Sequence, residues 1–146
     1  MILSYREYEI DEDRSRLDFA LVHGWLSQTY WHTDLTQETV EKTAKHSSLV
    51  VGCYRDGVQT GYLRVVSDTV RFAYLADVIV DEAYRGKGIG RAMVKYALEH
   101  PDYATVSRWI LATRDAHGVY EGIGFEPLTK PESWMIYVPN LGKQNF

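Results

Sequence analysis

The chain has 146 residues, 45% of them hydrophobic, 13% aromatic and 25% charged, which fits one domain over 1–146 and excludes an intrinsically disordered chain. Sixteen basic against twenty acidic residues leave a net charge of −4 and give no support to a nucleic-acid binder working through a basic face. No apolar run approaches the ~18 residues of a membrane span, and the single cysteine, Cys53, excludes internal disulfides and points to a reducing, cytoplasmic setting.

The first residues, MILSYREYEIDEDR, carry early acidic side chains and lack a basic-then-apolar leader. Rough alternation from Leu3 to Ile10 predicts a strand. Asp11 to Asp13 are candidate caps for a helix carrying Leu17, Ala20, Leu21 and Trp25 at helical spacing, with Gly24 a weak point. Ser27 to Asp34 is polar and aromatic and reads as a loop. A mostly polar surface helix follows, from Asp34 or Thr36 to about Lys45. Ser48 to Tyr54 and Gly61 to Val66 predict two strands joined by an Asp56-Gly57 hairpin turn. In the first of them Cys53 reads as a small hydrophobe, not a nucleophile. A strand over Phe72 to Val80, a helix over Arg91 to Glu99 stopped by Pro101, and a short apolar strand over Trp109 to Ala112 come next. A helix around Ala116 to Glu121 and a strand over Trp134 to Val138 complete a mixed α/β domain with a central sheet.

The densest chemistry lies between Val78 and Arg91, where strand, turn, glycine loop and helix succeed one another. Glycines let the main chain approach a ligand closely, and the free amides of the helix start favour an anion. Arg85, Lys87, Arg91 and Lys95 add four positive charges in eleven residues. A diphosphate fits this loop. Gly86, Gly88 and Gly90 do not satisfy the G-x-G-x-x-G of dinucleotide binders, and Gly86-Lys87 lacks the following Ser or Thr of a P-loop.

The spacing that does match is R-x-x-G-x-G, as Arg85-x-x-Gly88-x-Gly90, and with it the chain resembles the GNAT superfamily of acetyl-CoA-dependent N-acetyltransferases. Tyr120-Glu121-Gly122-Ile123-Gly124-Phe125 is similar to that family's Y-E-x-x-G-F segment, so the resemblance covers most of the chain. It implies a single-domain fold whose mixed sheet is flanked by helices and splays between the family's fourth and fifth strands, here 72–80 and 108–112. It further implies that acetyl-CoA is bound by Val78, Ile79 and Val80 along the strand and by Arg85, Gly86, Lys87, Gly88, Ile89, Gly90 and Arg91 in the loop. Thr113 stands where many relatives have Asn. The implied reaction is acetyl transfer to a primary amine of a small molecule by direct attack in a ternary complex. Tyr120 would be the general acid, Asp77 or His117 the base, and the amide of Val80 or Ile79 the oxyanion donor. Tyr30, Trp31, Asp34 and Tyr74 fall where the family builds its acceptor site, near Trp25, Ser27, His32 and Trp134. No metal is implied, since His23, His32, His46 and His100 lack ligand spacing. Three readings stay open: a sensor that binds acetyl-CoA without turnover, a nucleotide-phosphate binder, and acetylation of a protein amine. A homodimer built through the C-terminal strand also stays open.

Overall fold

Asp56 and Gly57 form the tight turn their sequence predicts: both have positive φ, 50° and 80°, and Arg55 faces Val58 across a two-residue loop. In this computed structural model, which describes residues 1–29 and 34–139, that turn joins β3 (Leu49–Arg55) to β4 (Val58–Ser67). The sheet runs β1 (Leu3–Tyr5), β2 (Tyr8–Asp11), β3, β4, β5 (Phe72–Val80) and β6 (Arg108–Ile110) in chain order. All neighbours are antiparallel except β5 and β6, which are parallel.

Helix α3 (Ile89–Leu98) covers one face, burying Ile89, Met93, Val94 and Ala97 against Ile10, Val51, Leu63 and Leu75. Helices α1 (Phe19–Ser27) and α2 (Gln37–Lys45) cover the other, where Val22, Leu26, Val40 and Ala44 meet Val50, Tyr62 and Ile79. The short helix α4 (His117–Glu121) follows β6, and Tyr120, Ile123 and Phe125 pack on the α3 side.

Two features of β5 position the site. Tyr62 pairs with Ile79 but Arg64 with Ala76, so Asp77 and Val78 together face Leu63 in a β-bulge. Asp77 takes the extra turn at φ 55°, a conformation Asp tolerates better than most residues. The second feature is the splay: β5 and β6 pair only from Phe72–Arg108 to Tyr74–Ile110. Beyond Tyr74 the two strands separate, and no described strand occupies that edge of β5.

Several expectations need correction. The strand expected over 3–10 is a hairpin, turning at Arg6 (φ 54°) without the glycine or asparagine that marks most such turns. The acids at 11–13 do not cap α1. Asp13 caps a single turn over Arg14–Arg16, and Asp18 caps α1 by accepting from the Leu21 amide. The helix runs through Gly24, where a Cβ would meet nothing within 4 Å, so no close packing requires the glycine. No strand forms over 134–138. A short turn at Pro131–Ser133 is followed by extended chain in which Met135, Ile136 and Tyr137 are 97%, 70% and 88% exposed. Strand propensity there finds no facing ladder among the described residues to satisfy it.

Candidate active site

The glycine loop begins where β5 ends. Asp81 caps a turn over Glu82–Tyr84 with one carboxylate oxygen, accepting from the Ala83 amide, and takes the Trp25 indole N–H on the other at 3.0 Å. Trp25 therefore ties α1 to the root of the loop. Arg85 folds back so that its Nε donates to the Val80 carbonyl. Gly86 (φ 78°) and Gly88 (φ 80°) then adopt left-handed conformations that L side chains rarely take, and Gly88 caps α3 without a side chain. At Gly88 a Cβ would also meet the Tyr5 hydroxyl at 2.5 Å. Gly90 has only ordinary contact to fear, its Cβ position lying 3.5 Å from Val80.

The consequence is a run of open donors. The amides of Gly86, Lys87, Gly88, Ile89, Gly90 and Arg91 donate to no main-chain carbonyl among the described residues. They end at the positive pole of α3, with Arg85, Lys87, Arg91 and Lys95 exposed around them. Such a cradle fits a diphosphate. Arg91 is partly committed elsewhere, its Nη2 donating to the Gly122 carbonyl at 2.8 Å and so bracing α4 against α3.

The splayed edge of β5 leads away from this cradle. Asp81 donates to the Thr60 carbonyl, and the register places Val80 opposite Gly61 and Ile79 opposite Tyr62. Antiparallel pairing alternates, so Val80 turns its N–H and C=O to the open edge while Ile79 turns both to β4. Of the two expected oxyanion donors, only Val80 offers its N–H to the slot.

Tyr120 packs on the same cluster as Val78 and Val80, with its ring edge-to-face on Phe125 at 5.7 Å. Burial pushes its hydroxyl above the ordinary tyrosine range. Its hydroxyl makes no hydrogen bond among the described residues. His117 is exposed, one helical turn before it. Thr113 is half-buried and spends an oxygen lone pair on the Ala116 amide at 3.1 Å, which steadies the start of α4.

On the other face, Asp77 meets Arg64, a partner the sequence did not single out, at 2.7 Å between Oδ2 and Nε. Both side chains are largely buried, 9% and 18% exposed. The signal was an arginine inside an otherwise apolar run, Tyr62-Leu63-Arg64-Val65-Val66. Tyr74, between the core residues Ala73 and Leu75, points to this same face and is half-buried. Asp34 is exposed just ahead of α2, and Tyr30, Trp31 and His32 lie outside the described residues. A separate groove of about 510 Å³ flanks β6, lined by Trp109, Ile110, Phe125, Leu128 and Trp134 and by none of the loop residues. Among the described residues no cluster of His, Cys, Asp and Glu could hold a metal ion, and no helix is long and apolar enough to cross a membrane.

Residues 7–125 match the family model for the acetyltransferase (GNAT) family. The chain is 28% identical over 135 residues to the mouse (Mus musculus) thialysine N-epsilon-acetyltransferase, covering 90% of this chain and 74% of that one. A crystal structure of a GNAT-family protein from Xanthomonas campestris pv. campestris superposes with a TM-score of 0.86 at 41% identity, covering 94% and 98% of the two chains. A GNAT-family protein from Streptococcus pneumoniae shares the fold at 24% identity and TM-score 0.70, over 96% and 99%. The loop, the splay and these likenesses converge: the chain belongs to the GNAT family of acetyltransferases.

Proposed function

We propose that the protein transfers the acetyl group of acetyl-CoA to a primary amine of a small molecule. The observation that carries this is the unbroken run of open amides from Gly86 to Arg91 beside the unpaired edge of β5. The loop amides, with Arg85, Lys87 and Arg91, hold the diphosphate, and the edge at Val78 to Val80 pairs with the amides of the pantetheine arm. Thr113 adds a hydroxyl near that arm. Bound there, acetyl-CoA supplies a thioester whose thiolate, with a pKa near 8.5, is a competent leaving group.

In this reading the amine nitrogen bonds to the acetyl carbon and the carbon–sulfur bond breaks. The Val80 amide stabilises the negative charge that develops on the carbonyl oxygen. Tyr120 gives its proton to the departing sulfur. The incoming ammonium loses its proton through water to Asp77, which Arg64 holds on the α1–α2 face. His117 is the second candidate base. An unchanged kcat in Asp77→Asn, with a loss in His117→Ala, would reassign that step.

The mouse relative is named for the ε-nitrogen of thialysine, and this supports an aliphatic amine acceptor. Tyr74 and Asp34, with Tyr30 and Trp31, would hold its cation through ring faces and a carboxylate. A panel of diamines, amino acids and amino sugars, beside an N-terminal peptide and a lysine peptide, tests this by thiol release. Turnover on a small amine supports it, and turnover confined to the peptides rejects the small-molecule acceptor. Bound acetyl-CoA with no release on any amine would favour a sensor. A homodimer belongs to the same proposal, supported by the exposed apolar run 134–138; a one-chain mass in light scattering rejects it.

A further inference from the structure

We propose that Tyr5, at the end of β1, is a positioning residue for the glycine loop, fixing the Lys87–Gly88 peptide so that the Gly88 amide faces the phosphate site. The proposal rests on reading that loop as the diphosphate site. Tyr5 lies 82 residues from Lys87 in sequence, yet its hydroxyl donates to the Lys87 carbonyl at 3.1 Å. Among the described residues there are no cis peptide bonds, and in a planar trans peptide the carbonyl and the following N–H point in opposite directions. Drawing the carbonyl toward β1 therefore turns the Gly88 N–H away from it, among the open amides of the loop.

The loop needs such a tether because of its own composition. Gly86 and Gly88 both sit at positive φ, and a glycine that adopts this conformation easily also leaves it easily. Rotation of the Lys87–Gly88 peptide would withdraw a donor from the cradle at little steric cost. The Tyr5 hydroxyl opposes that rotation twice. It holds the carbonyl, and it occupies the space where a Gly88 side chain would stand, its oxygen 2.5 Å and its ring carbon 3.6 Å from the Cβ position.

Tyr5 is itself well anchored. It pairs with Tyr8 across the first hairpin, and its ring packs on the α3-side core. On either side of the hairpin, the Met1 carbonyl at 2.6 Å and a Glu12 carboxylate oxygen at 2.7 Å share the one proton of the Tyr96 hydroxyl of α3. The hairpin is thus a strap fixed to both ends of α3. Packing alone would be served by phenylalanine; the hydroxyl is what reaches the loop.

The test is Tyr5→Phe, which keeps the ring and removes the donor. Binding of acetyl-CoA should weaken about five- to tenfold, the scale of one hydrogen bond. With acetyl-pantetheine, which lacks the diphosphate, KM should stay at the wild-type value, as should kcat with either donor and the thermal midpoint. Equal weakening for both donors with a lower midpoint would make Tyr5 structural, and no change with either would also overturn the proposal. Wild-type protein that binds no acetyl-CoA would remove the reading of the loop and this inference with it. A double-mutant cycle gives a second readout. Gly88→Ala should weaken acetyl-CoA binding less in the Tyr5→Phe background than in wild type, because the colliding oxygen is gone. Strict additivity would contradict the contact on which the proposal stands.

Discussion

In the proposed reaction Tyr120 is the proton donor to the leaving thiolate: it packs in the same cluster as Val78 and Val80, and burial raises its hydroxyl above the ordinary range. A free tyrosine titrates near 10, so a hydroxyl raised above that range still donates at the alkaline end of an assay. Tyr120→Phe should lower kcat about 100-fold or more while the dissociation constant for acetyl-CoA stays unchanged. The alkaline limb of the wild-type kcat profile should lie above the usual tyrosine range. Unchanged kcat with weakened binding would make Tyr120 a packing residue of α4. Arg64 and Asp77 differ from this in kind. Each is largely buried and its charge is met by the other, which fixes the geometry of the bulge on the α1–α2 face.

At the level of elements, caps and turns decide where chain segments start and stop. Asp18 accepts from Leu21 at the head of a nine-residue helix, whereas Asp13 serves one short turn. Asp18→Ala should cost about 1 kcal/mol in urea unfolding, and Asp13→Ala clearly less; the reverse order would restore the acids at 11–13 as the helix cap. The glycine loop, α3 and the hairpin at Asp56-Gly57 were legible in the sequence because glycine and asparagine-like residues announce positive φ directly. The first hairpin was not, since Arg6 and Glu7 carry no such mark and the turn is held by strand pairing and by Tyr5 and Tyr96. Arg64 was hidden for a similar reason: its partner depends on a bulge that brings Asp77 round to it. The stretch 134–138 has the composition of a strand, but a strand also needs a neighbour, which the sequence cannot display.

Across the whole molecule, one sheet separates the two halves of the proposed site. The α3 side carries the glycine loop and Tyr120, the α1–α2 side carries Arg64, Asp77 and Tyr74, and the splay of β5 from β6 is the opening beside them. The same burial leaves an alkaline signature. Burial pushes Tyr54 up to about 12 and raises Tyr62, Tyr96, Tyr103 and Tyr120 as well. These groups bind protons more tightly folded than unfolded, so their contribution is complete below the unfolded value near 10 and is lost as pH climbs through the folded values. Urea unfolding should therefore show stability falling from about pH 10, with the share of tyrosinate absorbance that belongs to these five buried rings appearing only as the protein unfolds. Tyrosinate forming fully at pH 10 without unfolding would contradict the burial of these rings.

The central claim is that the amides from Gly86 to Arg91 hold the diphosphate of acetyl-CoA, and calorimetric titration tests it most directly. Wild-type protein should bind acetyl-CoA at micromolar concentrations, with NAD and ADP far weaker. Gly88→Glu should abolish the heat, because a side chain and a negative charge would enter the cradle. No binding by the wild type, or undiminished binding by Gly88→Glu, would contradict the account.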